Sequence, residues 1–139
     1  MQEPNELTFL FQFSKLHTKL VKNLDCLLSY HGVSFTEYMI MHNLHEAPKR
    51  TMSRIHLAES VGITASGVTR LLAPMEKNRI TERESNPRDA RMSLVKLSKA
   101  GERLYRESTV SFNDGAKSIT NKFNDVQLQQ MIKLLNVIC

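Results

Sequence analysis

Apolar residues recur along most of this chain at the three-to-four spacing of a helix, and switch to alternation in one place only. Leu10, Phe13, His17, Leu20, Leu24 and Leu27 form a first stripe, widened by Leu16, Val21 and Leu28. They predict a helix over residues 6–30, ended by Gly32. Ser34-Phe35-Thr36-Glu37 is a capping-box pattern, with Val33 and Tyr38 placed as its hydrophobic staple. The second helix runs through Leu44 and stops before Pro48, which disfavours helical geometry at Ala47. Thr51 or Ser53 caps a third helix ending at Val61, with Ile55, Leu57, Ala58 and Val61 as its core side. Gly62 supplies a tight turn into residues 63–79. There Val68, Leu71, Leu72 and Met75 form one apolar stripe, and Thr64 is the N-cap.

Alternation replaces the helical period at Ile80–Ser85 and Met92–Leu97, two short strands around the turn formers of NPRDAR. Leu94 and Val95 are neighbours, so that strand is either buried on both faces or bulged. Ser98 caps a long helix reaching about Phe123, with Leu104, Phe112, Ala116, Ile119 and Phe123 on one side. Gly115 weakens it by about 1 kcal/mol relative to Ala, so a kink or a close helix contact is expected there. Asn124 or Asp125 caps a last helix striped by Leu128, Met131, Ile132, Leu135 and Ile138. The fold class is therefore mainly α with a small β-wing, one domain over 1–139. A winged helix-turn-helix part spans 34–97, and helices at 6–30 and 98–138 bracket it. Their apolar faces find no partner inside so small a winged part, and a second copy of the chain would cover them.

The polar positions carry the functional argument. Opposite the apolar stripe of 63–79, Ser66, Arg70, Ala73 and Lys77 fall in one narrow arc that is small and cationic. Helix, short turn with Gly, then a second helix with such a face is the pattern of a major-groove reader. Pro74 interrupts it by removing the amide that would bond to the Arg70 carbonyl, at about 3 kcal/mol if the helix stayed straight. A kink or an early end follows, which bears on Lys77. The turn between the strands carries Arg88 and Arg91, and an arginine there suits a narrow minor groove. Asp89, two residues before Arg91, is read as holding a guanidinium by a charge-assisted hydrogen bond.

Charge sharpens this picture. The net charge is +5, but Lys49–Arg106 alone holds thirteen Lys and Arg against six acids. Residues 1–48 are slightly acidic and 107–139 are balanced. A polyanion would meet the middle of the chain. Ser53, Thr64, Ser66, Thr69 and Arg70 are the candidates for base edges or nearby phosphates. Arg54, Lys77, Arg79 and Arg83 are candidates for backbone contacts, and Arg88, Asp89 and Arg91 for the wing. The rival reading is a winged-helix module whose basic face docks an acidic protein.

Other chemistry finds little footing. Cys26 and Cys139 lie far apart with no CxxC spacing, so a reduced, cytoplasmic setting is expected, with Cys26 a small buried hydrophobe. The segment MQEPNELTFL lacks the character of a secretory leader, and no apolar run approaches the ~20 residues of a membrane span. His17 reads as a core or interface histidine. His42 and His45 could share a metal, but zinc wants three or four ligands and no third stands nearby. With no Ser-His-Asp logic, paired acids or phosphate loop, neither an enzyme nor a cofactor is expected.

The run LAESVGITASGVTRLLAPMEKNRITERESNPRDARMSLVKLSKAG resembles the MarR family of bacterial transcriptional regulators. It is similar in its Leu-Ala-Glu helix, Val-Thr-Arg recognition helix, NP-x-D-x-R wing and Leu-Ser-x-x-Gly restart. The resemblance implies a homodimer on a pseudo-palindromic operator, most often acting as a repressor, with Asp89 and Arg91 as the wing pair. It also implies a small aromatic effector between the dimer helices and the winged part, for which His17, Phe35, Met39 and His42 are the candidate walls. Pro74 departs from the family's usual polar residue. The reactive cysteine of the peroxide-sensing branch and the fifth-helix histidines of the zinc-responsive branch have no counterpart here.

Overall fold

A computed structural model describes all 139 residues. Helix α1 (Asn5–Leu28) ends in a short 3-10 turn and Gly32, whose φ of 72° is the left-handed geometry that glycine adopts freely. Helix α2 (Phe35–Glu46) starts on the expected capping box: Glu37 N–H donates to Ser34 Oγ and Ser34 N–H to the Glu37 carboxylate. Strand β1 (Thr51–Ser53), helices α3 (Arg54–Val61) and α4 (Ala65–Lys77), strands β2 (Thr81–Ser85) and β3 (Ser93–Leu97), and helices α5 (Lys99–Thr120) and α6 (Asp125–Ile138) follow.

Strand β1 was not expected from the sequence. It lies antiparallel to β3, with Met52 opposite Val95, giving a three-stranded sheet in the order β1-β3-β2. That arrangement resolves the Leu94-Val95 neighbours. Strand β3 is the central strand, paired without a bulge from Thr81–Leu97 to Ser85–Ser93, so its outward Leu94 is also half-buried. Ser53, rather than Thr51, is the N-cap of α3.

The core lies between α2, α3, α4 and the sheet. Ile40, Met41, Leu44, Leu57, Val68, Leu72, Met75 and Val95 are buried there. Two chain reversals orient α4. Gly62 (φ 81°) lets the Gly62 and Ile63 amides return to the Ala58 carbonyl, which sets a three-residue turn before Thr64 caps α4. After α4, Arg79 adopts φ 60° and Ile80 N–H returns to Met75 O.

The chain ends pack differently. Helix α1 buries only Leu24 and Leu28, near its C-terminal end, and α6 buries no residue. Phe9, Leu10, Phe11, Phe13 and Leu16 are exposed on α1, as are Met131, Ile132, Leu135 and Ile138 on α6. His17 is exposed on the same helix. Cys26 is exposed, contrary to expectation. It lies two residues from both Leu24 and Leu28, on roughly the opposite side of the helix from the pair that meets the core. Helix α5 crosses α1 closely at Gly115, where a Cβ would stand 2.8 Å from Leu27 Cδ2. The glycine therefore marks a close helix contact.

Candidate nucleic-acid interface

Helix α4 presents the arc predicted for it. Val68, Leu72 and Met75 are buried, while Ser66, Thr69, Arg70, Ala73 and Lys77 are exposed. Thr64 accepts from Gly67 N–H at 3.0 Å and shares a hydrogen bond with Ser66 Oγ, so the helix starts with short hydroxyl-bearing residues at the surface. The early end expected at Pro74 does not occur, and α4 continues to Lys77. The proline lies on the exposed face, one turn below Arg70, so water can satisfy the orphaned Arg70 carbonyl. The chain continues with Asn78 N–H donating to Pro74 O at 2.9 Å. Lys77 thus stays on the helix, two turns from Arg70.

The wing tip is built from two side-chain turns. Arg88 N–H donates to Asn86 Oδ1 and Arg91 N–H to Asp89 Oδ1, each at 3.0 Å. The expected contact between Asp89 and a guanidinium is absent. Its carboxylate shapes the loop through the backbone because it reaches the amide two residues on before it reaches any side chain. Consequently the guanidinium groups of Arg88 and Arg91 form no ion pair. The same holds for Arg70 and Lys77, and all four residues are exposed. Unpaired cations at the surface lose no existing partner on meeting a phosphate.

Other predicted residues stand apart from this set. Arg83 Nε donates to Glu76 Oε2 at 3.1 Å, bracing β2 against α4. Arg54 opens α3, with its Nε buried and without a partner. Ser53 Oγ is taken up in capping α3, accepting from His56 N–H at 3.2 Å. Phe35 and Met39 are half-buried on α2. His42 is exposed with its Nδ1 2.8 Å from the Tyr105 hydroxyl, and His17 lies on α1. Phe35 stacks on Phe112, and Tyr38 on Phe112 and Tyr105, so the chain's own rings occupy the contact between α2 and α5. Cavities of about 330 and 510 Å³ lie elsewhere, between α1 and α5 beside Gly115 and at the base of the wing. Neither is lined by any of the four proposed wall residues.

His42 and His45, weighed as a metal pair, each reach α5 instead. His45 Nδ1–H donates to Glu102 Oε2 at 2.8 Å and His42 pairs with Tyr105. Arg50 Nη1 binds the other oxygen of Glu102 at 3.2 Å. Sequence reading missed this cluster, although one signal was present: His42/His45 and Glu102/Tyr105 have the same three-residue spacing on two helices. Burial pushes the Tyr105 phenol above its ordinary value of 10.0, with the neighbouring Tyr38 adding to the shift.

A capped recognition helix after a glycine turn, with an arginine-tipped hairpin beside it, defines a winged helix-turn-helix protein. A model of the MarR family matches residues 31–92. The uncharacterized HTH-type transcriptional regulator YhbI of Bacillus subtilis is 28% identical over 131 residues, which span 92% of this chain and 84% of that protein. In structure, the chain is similar to Sco3205, a MarR family transcriptional regulator from Streptomyces coelicolor in complex with DNA. The TM-score is 0.89 at 22% identity, over 99% of this chain and 88% of that one. A mutant MarR from E. coli complexed with operator DNA gives 0.85 at 19% identity, over 99% of each chain. Over residues 31–92 the chain is therefore similar to the MarR family, and its fold is the winged-helix fold of the MarR family structures it matches. None of its helices is long and apolar enough to cross a membrane.

Proposed function

We propose that the protein is a homodimeric repressor that reads a pseudo-palindromic operator, with the 34–97 part of each copy on one half-site. The observation that carries this reading is the set of exposed cations without ion-pair partners on two adjoining elements, Arg70 and Lys77 on α4, Arg88 and Arg91 on the wing. Ser66, Thr69 and Arg70 meet base edges in the major groove. Lys77 and Arg54 meet phosphates, and Arg91 enters the minor groove. Dimerisation through residues 6–30 and 98–138 is supported by the exposed apolar side chains of α1 and α6, which a lone copy leaves in water. Two recognition helices on successive turns of one face must then stand about 34 Å apart. A small aromatic effector at the junction of α2 with the dimer helices, near Phe35, Met39, His42 and His17, would release DNA by favouring another separation.

The test is selection of bound fragments from genomic DNA, followed by titration of the recovered site over a range of salt. A symmetric site whose affinity falls steeply with salt is the expected result. A protein that sediments as a single copy at micromolar concentration, or binds no natural promoter at modest ionic strength, overturns the reading. Operator affinity unchanged across a series of aromatic acids removes the effector.

A further inference from the structure

The contact between α2 and α5 contains a polar tie whose geometry goes beyond packing. His42 and His45 share a face of α2, and Glu102 and Tyr105 share a face of α5, because residues three apart on a helix are neighbours. They pair one to one, His45 with Glu102 and His42 with Tyr105, each at 2.8 Å. The second oxygen of Glu102 takes Arg50 at 3.2 Å. One carboxylate thus joins the end of α2, the turn that follows it and the first turn of α5. Its side chain is 17% exposed and that of His45 22%. Partial shielding of this kind makes such a pair stiffer than one in open solvent.

The turn that carries Arg50 is strained. Lys49 and Arg50 both have φ of 55°, left-handed geometry that residues with a side chain adopt only where their surroundings hold them. The next three residues are β1, and its last residue, Ser53, caps α3. Any shift of Arg50 therefore reaches the helix-turn-helix through one short strand. On the other side, α5 runs from Glu102 to its close crossing with α1 at Gly115.

We infer that Glu102 is a positioning residue for DNA reading: by gripping Arg50 and His45 at once, it sets the angle between the reading head and α5. The inference rests on the dimeric DNA-binding reading above. In a dimer built on the chain ends, that angle sets the distance between the two α4 helices and so the half-site spacing that binds best.

Operators recovered by selection are remade with the spacer between half-sites changed one base pair at a time, and binding of the full chain is measured. Wild type should prefer one spacing sharply. Glu102→Gln, which keeps size and loses charge, should flatten that preference about tenfold while its affinity for an isolated half-site stays within twofold. Arg50→Ala removes a largely exposed side chain, 59% accessible, and should flatten the profile in the same way at an unchanged melting temperature. A wild-type spacing profile in either folded variant overturns the inference, as does an equal loss on the isolated half-site. A wild type that binds no duplex, or has no spacing preference, overturns instead the reading on which it rests.

Discussion

Gly101 occupies the point where the wing ends and α5 begins, and substituting it tests how the two are joined. A Cβ there would overlap the carbonyl oxygen of Ile80 and lie 3.0 Å from its carbon and 3.3 Å from Leu97 Cδ2. That carbonyl is not free to move, since it accepts from Ser98 N–H at 3.0 Å while the Ser98 hydroxyl donates to the adjoining Arg79 carbonyl at 2.5 Å. Ser98 Oγ in turn caps α5 by accepting from Gly101 N–H. Gly101→Ala must shift backbone against backbone. Overpacking costs about 1–3 kcal/mol, and each weakened hydrogen bond about 0.5–1.5 kcal/mol. The stiffer unfolded chain returns about 0.4–1 kcal/mol. The net is a loss of about 2–4 kcal/mol, or a fall in Tm of about 8–16 °C for a chain of this size. Gly115→Ala is the matched control. Its Cβ would meet only the end of the flexible, partly exposed Leu27 side chain. The gain in helix propensity of about 1 kcal/mol offsets that contact, leaving stability within about 1 kcal/mol of wild type. Urea unfolding followed by circular dichroism measures both. If Gly101→Ala lies within about 0.5 kcal/mol of wild type, or Gly115→Ala loses more, the account of the junction is wrong.

Three further outcomes are expected. Arg70→Ala should weaken operator binding by about 1–3 kcal/mol, and Arg91→Ala should weaken it with no change in melting temperature. Wild-type affinity in both would remove the assigned surface. Pro74→Ala restores an amide facing the Arg70 carbonyl in a helix that already continues past it, so it should stabilise the protein by about 1–3 kcal/mol; a lower Tm would contradict the solvent-satisfied carbonyl. The raised phenol of Tyr105 makes the folded state hold its proton longer than the unfolded chain does. Its contribution is complete below the ordinary value of 10.0 and is lost as pH climbs above it. Tyr105→Phe should remove that part of the alkaline decline, as measured by unfolding at stepped pH.

The sequence by itself determined the elements whose causes are local. Stripes at helical spacing, Ser34, Thr64, Ser98 and Asn124 as caps, and Gly32 and Gly62 as stops act within a turn or two of where they stand. So do Asn86 and Asp89, which made the wing tip legible, although which donor Asp89 would choose was not. Clustering of Lys and Arg between Lys49 and Arg106 marked the candidate surface for the same reason. Tertiary structure decided whatever depends on a distant partner. Three residues, Thr51–Ser53, carry no periodicity, and become a strand because β3, more than forty residues on, offers an open edge. Glu102 meets His45 across 57 residues, a pairing no local pattern encodes. Pro74 stays inside α4 because its orphaned carbonyl faces water, and Cys26 is exposed because only the other side of α1 meets the core. Local chemistry chose the helices and their ends, while long-range contact chose what they touch and, in β1, the element itself.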